Sequence, residues 1–387
     1  MRRRLAVVFA TWLVSAAWLG CNLILGNESA VFAPEIDAAG LDGLAPSDGG
    51  SDAFDFPDGS APDGDAGPCV DTSKNPRHCG ACFHDCLGGQ CVDGTCQPFQ
   101  IAIDESGPLA IAIDETHVYW TNRSTGTLWR VPKSGGSKER LFEAPGEGLG
   151  DEIAVHDGRL YFAYTVGDAG VVRCPVTGCS DAGPEPVLEN GNPASAVTIE
   201  DGVLLFVETA SGRIGRCPLP CNGSFDIVAS GETLPLRAAQ AGNVVAWTVI
   251  TNEIRIKVGD DAPFGIPTGN NFAVGIAISD GLVYAEEINK GPLVIPTDGG
   301  PAVRLMSSNF GYSEELTLDD ASVYFTDKIS QGRVLRCGRA GCGDSGVELA
   351  TKQPDPRGIA VDGVSIYWVN SSNTVSGGVG AVMRLAK

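Results

Sequence analysis

The chain has 387 residues, 43% of them hydrophobic and 19% charged, and its 51 glycines and 24 prolines make up about a fifth of it. Such punctuation excludes a helical bundle or coiled coil, and the apolar fraction excludes a wholly disordered chain. A net charge of −21 argues against nucleic acid as a partner, while 13 cysteines are too many for a reducing cytosol and odd in number, so at least one stands outside any intramolecular disulfide set.

Arg2, Arg3 and Arg4 precede an apolar run from Leu5 to Gly20, and Cys21 follows at once. A basic start and a short apolar segment form a secretory signal. With small Gly20 before Cys21, the segment resembles a bacterial lipoprotein processing site. The resemblance implies a signal peptide over residues 1–20 and lipid attachment at Cys21. Cleavage after Ser15-Ala16-Ala17 and a retained anchor from Leu5 to Gly26 are the alternatives. All three put the following chain outside the cytoplasm, in the bacterial cell envelope, with the membrane as its N-terminal partner.

Between Asn27 and Pro68 there are eight Asp, two Glu and no Lys or Arg, set among repeated DG, PDG and DAG phrases. This composition cannot bury enough apolar surface to offset its ordering entropy, so residues 21–68 are expected to be an anchored, disordered acidic tether. Asp58, Asp63 and Asp65 do not fit a calcium-loop frame.

Cys69, Cys79, Cys82, Cys86, Cys91 and Cys96 then crowd into a segment too small for a hydrophobic core. The compartment and the even count point to three disulfides of undetermined connectivity. Zinc on Cys79, Cys82 and Cys86 with His78 and His84 is the alternative. The string DTSKNPRHCGACFHDCLGGQCVDGTCQ resembles a cysteine-rich module of secreted bacterial proteins, placed here at residues 69–97.

The remainder, residues 98–387, repeats with a period of about 41. IAIDETHVYW from Ile111 returns from Ile153, Val197, Ala238, Ile276, Leu316 and Ile359 without an internal gap. Each phrase reads as strand, polar turn, strand; WRVPKSGG from Trp129 and its counterparts add a third strand, and runs such as ERLFEA a fourth. Seven such units predict an all-β fold, a seven-bladed β-propeller of four-stranded blades preceded by a small disulfide-rich module. The last unit lacks a fourth strand, and PFQIAID from Pro98 stands ready to complete it and close the ring. At VYWTN, VYFTD and IYWVN the repeat resembles the YWTD-type blade of low-density-lipoprotein-receptor propellers, which supports the fold and a binding role.

Cys174 with Cys179, Cys217 with Cys221, and Cys337 with Cys342 occupy one hairpin in three repeats and are expected to pair locally. No nucleophile elbow, P-loop, dinucleotide fingerprint or zinc-protease helix occurs, and neither a cofactor nor a catalytic residue is assigned. Candidates for a ligand site at the channel mouth are Trp120, Asn122, Arg123, Asp327, Trp368 and Asn370, from turns after second strands. The expected function is a membrane-anchored binding or scaffold protein for a protein, peptide or glycan. A propeller enzyme of the metal-dependent lactonase or lyase type is the alternative.

Overall fold

The computed structural model describes residues 69, 71–144, 148–164, 170–188, 192–221, 223–269, 271–307, 311–312, 315–328, 331–371 and 379–387. The signal, Cys21 and the acidic tether lie outside the described residues.

Among the described residues, seven antiparallel sheets of four strands each follow one another along the chain. Their first strands are Pro108–Ile113, Leu149–His156, Ala196–Glu200, Pro235–Ala241, Ala273–Ser279, Leu316–Leu318 and Pro356–Val361, in blades 1 to 7. Each first strand touches the first strand of the next blade, and that of blade 7 touches that of blade 1, so these strands ring the axis. The ring closes as the sequence predicts. Phe99–Glu105 is the outer strand of blade 7, paired with Gly380–Ala386.

Two kinds of turn join first and second strands in six of the seven blades. In blades 2, 3 and 5, Asp157-Gly158, Asp201-Gly202 and Asp280-Gly281 are two-residue loops with positive φ at both positions, the geometry that matches strand twist and that Asp-Gly adopts readily. In blades 1, 6 and 7 an aspartate folds the turn. Asp114 accepts the amides of Thr116 and His117 and the Tyr119 hydroxyl, and Asp319 and Asp362 repeat the pattern with Tyr324 and Tyr367.

Second strands are apolar on both faces because each blade lies between two others. Val118, Tyr119 and Trp120 are all fully buried, as are Tyr367 and Trp368. At roughly 1.5–3 kcal/mol for each large apolar side chain, this layer is the main cohesive term of the ring.

Charged contacts fasten some of the seams between blades. The residue after the third strand reaches back to the preceding blade's turn aspartate and lies over its tyrosine. Lys133 Nζ meets Asp362 Oδ2 at 2.6 Å and sits 5.4 Å from the Tyr367 ring centre. Lys387 Nζ meets Asp319 at 2.5 Å over Tyr324, and Arg339 pairs with Asp280 over Tyr284. Seams 7/1, 6/7 and 5/6 are therefore latched alike.

All twelve cysteines from Cys69 onward are paired. The module holds Cys69–Cys82, Cys79–Cys91 and Cys86–Cys96, so its sulfurs are committed to disulfides and the zinc alternative falls. The blade pairs Cys174–Cys179, Cys217–Cys221 and Cys337–Cys342 are local, as expected. Two of these clipped loops also dock sideways: the Cys179 amide donates to Leu141 O at 3.0 Å and the Cys342 amide to Leu305 O at 2.9 Å, each in the preceding blade. Six disulfides place the folded chain in an oxidising, extracytoplasmic compartment.

The module and propeller belong to one compact unit. Cys79, Cys86, Cys91 and Cys96 share a core with Tyr324, Ile366, Met383 and Leu385. His84 lies between the main-chain oxygens of Cys79 and Lys387, 2.5 and 2.7 Å from its two ring nitrogens. No helix among the described residues is long and apolar enough to cross a membrane.

Candidate functional site

First strands begin, and second strands end, on the same face of the ring, because the two pair antiparallel with Pro108 opposite Asn122 and its equivalents. This is the face on which the sequence places the channel mouth.

All the predicted mouth residues except Arg123 are buried and bonded within the protein. Trp120 Nε1 and Asn122 Nδ2 both donate to Glu105 Oε2, at 2.8 and 2.7 Å, and Lys138 pairs with the other oxygen of Glu105. Blade 7 repeats this with an amide: Trp368 Nε1 and Asn370 Nδ2 donate to Gln353 Oε1 at 3.1 and 2.9 Å. Glu105 ends the fourth strand of blade 7 and Gln353 follows the fourth strand of blade 6, each the preceding sheet in the ring, so these side chains fasten one blade to the next. Asp327, fully buried, takes the Arg333 guanidinium at 2.9 Å and the Gly311 amide at 3.1 Å. Arg123 is half exposed and faces Asp151 at 3.5 Å.

Arg123 leads to a cluster that the sequence reading did not select. Asp151 and Glu152 stand near the start of blade 2's first strand, and Arg237 stands at the matching point of blade 4. Arg237 Nε contacts Glu152 Oε1 at 2.7 Å, and its Nη1 lies 3.9 Å from Asp151 Oδ2. An arginine thus reaches past blade 3 to two carboxylates, and Arg123 of blade 1 meets one of them from the other side.

Burial pushes the Glu152 carboxyl up to about 7, against the opposing charge of Arg237 and with help from Asp151. The Asp151 amide is held by Ser195 O at 3.1 Å, and Ser195 Oγ contacts Thr209 Oγ1 at 2.6 Å, which fixes the backbone carrying both acids. Farther round the mouth, Asp355 takes Lys328 and Arg357 at 3.3 and 3.1 Å. The mouth therefore presents alternating charges of both signs, suited to hydrogen-bonding and ionic recognition. Glu152 is poised to change its protonation state near neutrality.

A signal for this cluster exists in the repeat. The residue just before each ten-residue phrase is Ala110, Glu152, Ala196, Arg237, Gly275, Glu315 and Gly358. Charges at a position otherwise filled by small residues mark side chains aimed where the blades leave room.

No family model and no curated protein matches the chain. Among solved structures it is similar to virginiamycin B lyase from Staphylococcus aureus, with a TM-score of 0.59 and 17% identity over 75% of this chain and 98% of that one. A catalytically inactive His-to-Ala variant of that enzyme, solved with quinupristin, gives 0.58 and 18% over the same shares. The WD40 propeller domain of Doa1 gives 0.58 and 12% over 75% of this chain and 97% of that one. At these identities the likeness is one of fold, and it defines the class: a seven-bladed β-propeller.

Proposed function

We propose that the chain is an extracytoplasmic, membrane-anchored binding or scaffold protein whose propeller takes a protein, peptide or glycan at the channel mouth around Arg123, Asp151, Glu152 and Arg237. The observation that carries this reading is the cross-blade pairing of Glu152 with Arg237. It makes a fixed polar surface of both signs in which each acid already has a cationic neighbour. Asp151 and Arg123 remain open enough, at 41% and 50% exposure, to exchange that neighbour for a ligand group.

The enzyme alternative has fold similarity to the lyase behind it. That similarity brings no chemistry with it, since the propeller's own histidines stand at turns between first and second strands, on the face away from the mouth. There His117 contacts Thr116 and His156 contacts Asp157.

Peptide and glycan arrays probed with the full chain and with Arg237→Met test the reading. A ligand retained by the wild type and weakened at least tenfold by the variant, at a temperature where both are fully folded, supports it. Turnover of a lactone or streptogramin that Glu152→Gln abolishes would replace it with the enzyme. Anchoring is tested separately: Cys21→Ser is expected to lose fatty-acid labelling and to leave the membrane fraction.

A further inference from the structure

Three of the seven seams share the latch pattern, and the seam between blades 3 and 4 lacks its cation and its tyrosine while keeping its carboxylates. At the latched seams a lysine or arginine follows the third strand. In blade 4 the third strand, Glu253–Val258, is followed by Gly259. A side chain begun at Gly259 meets only Asn243 Nδ2, at 3.6 Å. Where the latched seams have tyrosine, blade 3 has Leu205. The carboxylate side is kept: Asp201 stands where Asp280 receives Arg339, and Glu200 stands where Asp362 and Asp319 receive Lys133 and Lys387.

The space left by the missing cation is open. One cavity of about 240 Å³ is lined by Glu200, Asp201, Val203, Pro218 and Gln240 among others. A second of about 310 Å³ continues along Asn243, Lys257, Gly259 and Asp260. Arg216 and Asp226 border both. In blades 1 and 2 the equivalent arginine pairs across the strand with a glutamate, Arg130 with Glu139 at 2.6 Å and Arg173 with Glu185 at 3.1 Å. Opposite Arg216 stands Asp226, one methylene shorter, and no ion pair forms between them among the described residues. Burial and the neighbouring charge of Asp201 hold the Glu200 carboxyl above its ordinary range, as expected of an acid with no cation beside it.

We propose that this groove, on the face away from the channel mouth, binds a lysine or arginine side chain of a peptide partner, which takes the place that Lys133, Arg339 and Lys387 occupy at the latched seams. The ammonium or guanidinium lies against Glu200 and Asp201. The methylene stem runs along Val203 and Pro218, as such stems do on apolar surface. Arg216 is left to receive a carbonyl or carboxylate of the same peptide, so the groove reads a basic residue within a chain rather than a bare cation. This site is separate from the mouth and stands whether the mouth binds or catalyses.

The probe is a set of fluorescein-labelled heptapeptides, Gly-Ser-Gly-X-Gly-Ser-Gly, with X as lysine, arginine, norleucine or glutamate, read by anisotropy against the full chain. Lysine and arginine peptides are expected to bind at least tenfold more tightly than the norleucine peptide. Glu200→Gln should remove most of that difference. Asp201→Asn should weaken binding similarly, and because asparagine tolerates the positive φ of this turn, that variant keeps the fold. Asp181→Asn, an equal charge change on an exposed loop, should leave affinity within twofold. Equal binding of lysine and norleucine peptides overturns the proposal. So does equal weakening by Asp181→Asn, which would mean bulk attraction to an acidic protein, and so does binding of spermine without the peptides, which would mean a free polyamine site.

Discussion

Replacing Lys133 by methionine keeps its stem and deletes its charge at the seam where the two ends of the propeller meet. Lys133 and Asp362 are 15% and 22% exposed, so their 2.6 Å contact is shielded from solvent. A hydrogen bond to a charged group at such a site contributes about 1.5–3 kcal/mol, and an ammonium over a tyrosine ring about 0.5–1 kcal/mol. The Val364 and Ser365 amides still bind Asp362 in the variant, which limits the damage. A loss of about 2–3 kcal/mol is expected, and at about 2 °C per kcal/mol for a chain of this size the midpoint should fall by about 4–6 °C.

The pH dependence follows from Asp362. Burial pulls its carboxyl upward, but the Lys133 hydrogen bond, the two amides and the charge of Lys133 outweigh it, and its pKa lies below the ordinary 3.8. A carboxyl held low stabilises the fold fully above that ordinary value and loses its contribution as pH falls through the folded one. The gap between wild type and Lys133→Met should be constant from pH 5 to 8 and narrow below about pH 4. Calorimetry of the two singles and the double with Asp362→Asn measures the coupling, expected at about 1–2 kcal/mol. Additivity within about 0.5 kcal/mol would refute a latch and leave only packing.

Glu152 should act in the opposite sense. Its pKa of about 7 lies above the ordinary 4.5, so stability falls as pH rises between those values, by at most about 3 kcal/mol, and Glu152→Gln should flatten that slope in midpoints measured from pH 5 to 8. Replacing both Cys337 and Cys342 by alanine removes a loop constraint worth roughly 2 kcal/mol on the chain-entropy account and frees the hairpin that docks on Leu305. The expected result is a lower midpoint with faster amide exchange at the 5/6 seam, and an unchanged midpoint would count against a structural role. Maleimide labelling of the native protein followed by mass analysis should find no free thiol among Cys69 to Cys342.

The blade count, the closing strand and the hairpin cysteines were legible because each rests on repetition, and seven imperfect copies average away local ambiguity. The site was not legible for the same reason. Trp120, Asn122, Trp368 and Asn370 attract notice as polar and aromatic residues at turns, yet Glu105 and Gln353, many residues away in the chain, consume their hydrogen bonds. Nothing local to Asn122 announces Glu105, because the partner arrives from the neighbouring blade. Glu152 and Arg237 are equally dependent on packing. They lie far apart in sequence and meet only because first strands ring an axis. Module connectivity was beyond the sequence too, since six cysteines admit many pairings and only the folded backbone selects three.

The unequal fastening of the seams has a dynamic consequence. A local opening costs the contacts it breaks, and the 6/7 seam would break Lys387 with Asp319 as well as apolar packing. The 3/4 seam has no cation at the latch position, and its charged contact, Arg255 with Glu232, is a longer one of 3.5 Å. On the mouth side it also leaves Trp247 Nε1, fully buried, without an acceptor among the described residues, where Trp120 and Trp368 each have one. Its polar tie near the groove is Gln240 Nε2 donating to Val203 O at 2.7 Å. Losing a charged latch at about 1.5–3 kcal/mol should raise the open population of this seam by roughly ten- to a hundredfold over a latched one. Hydrogen exchange read by mass spectrometry should therefore show peptides spanning Glu200 to Leu205 and Lys257 to Asp261 exchanging before those spanning Asp319 to Tyr324 and Asp362 to Tyr367. Uniform protection across the four, or earlier exchange at the 6/7 seam, would show that apolar packing alone sets the order and that the charged latches are ornamental.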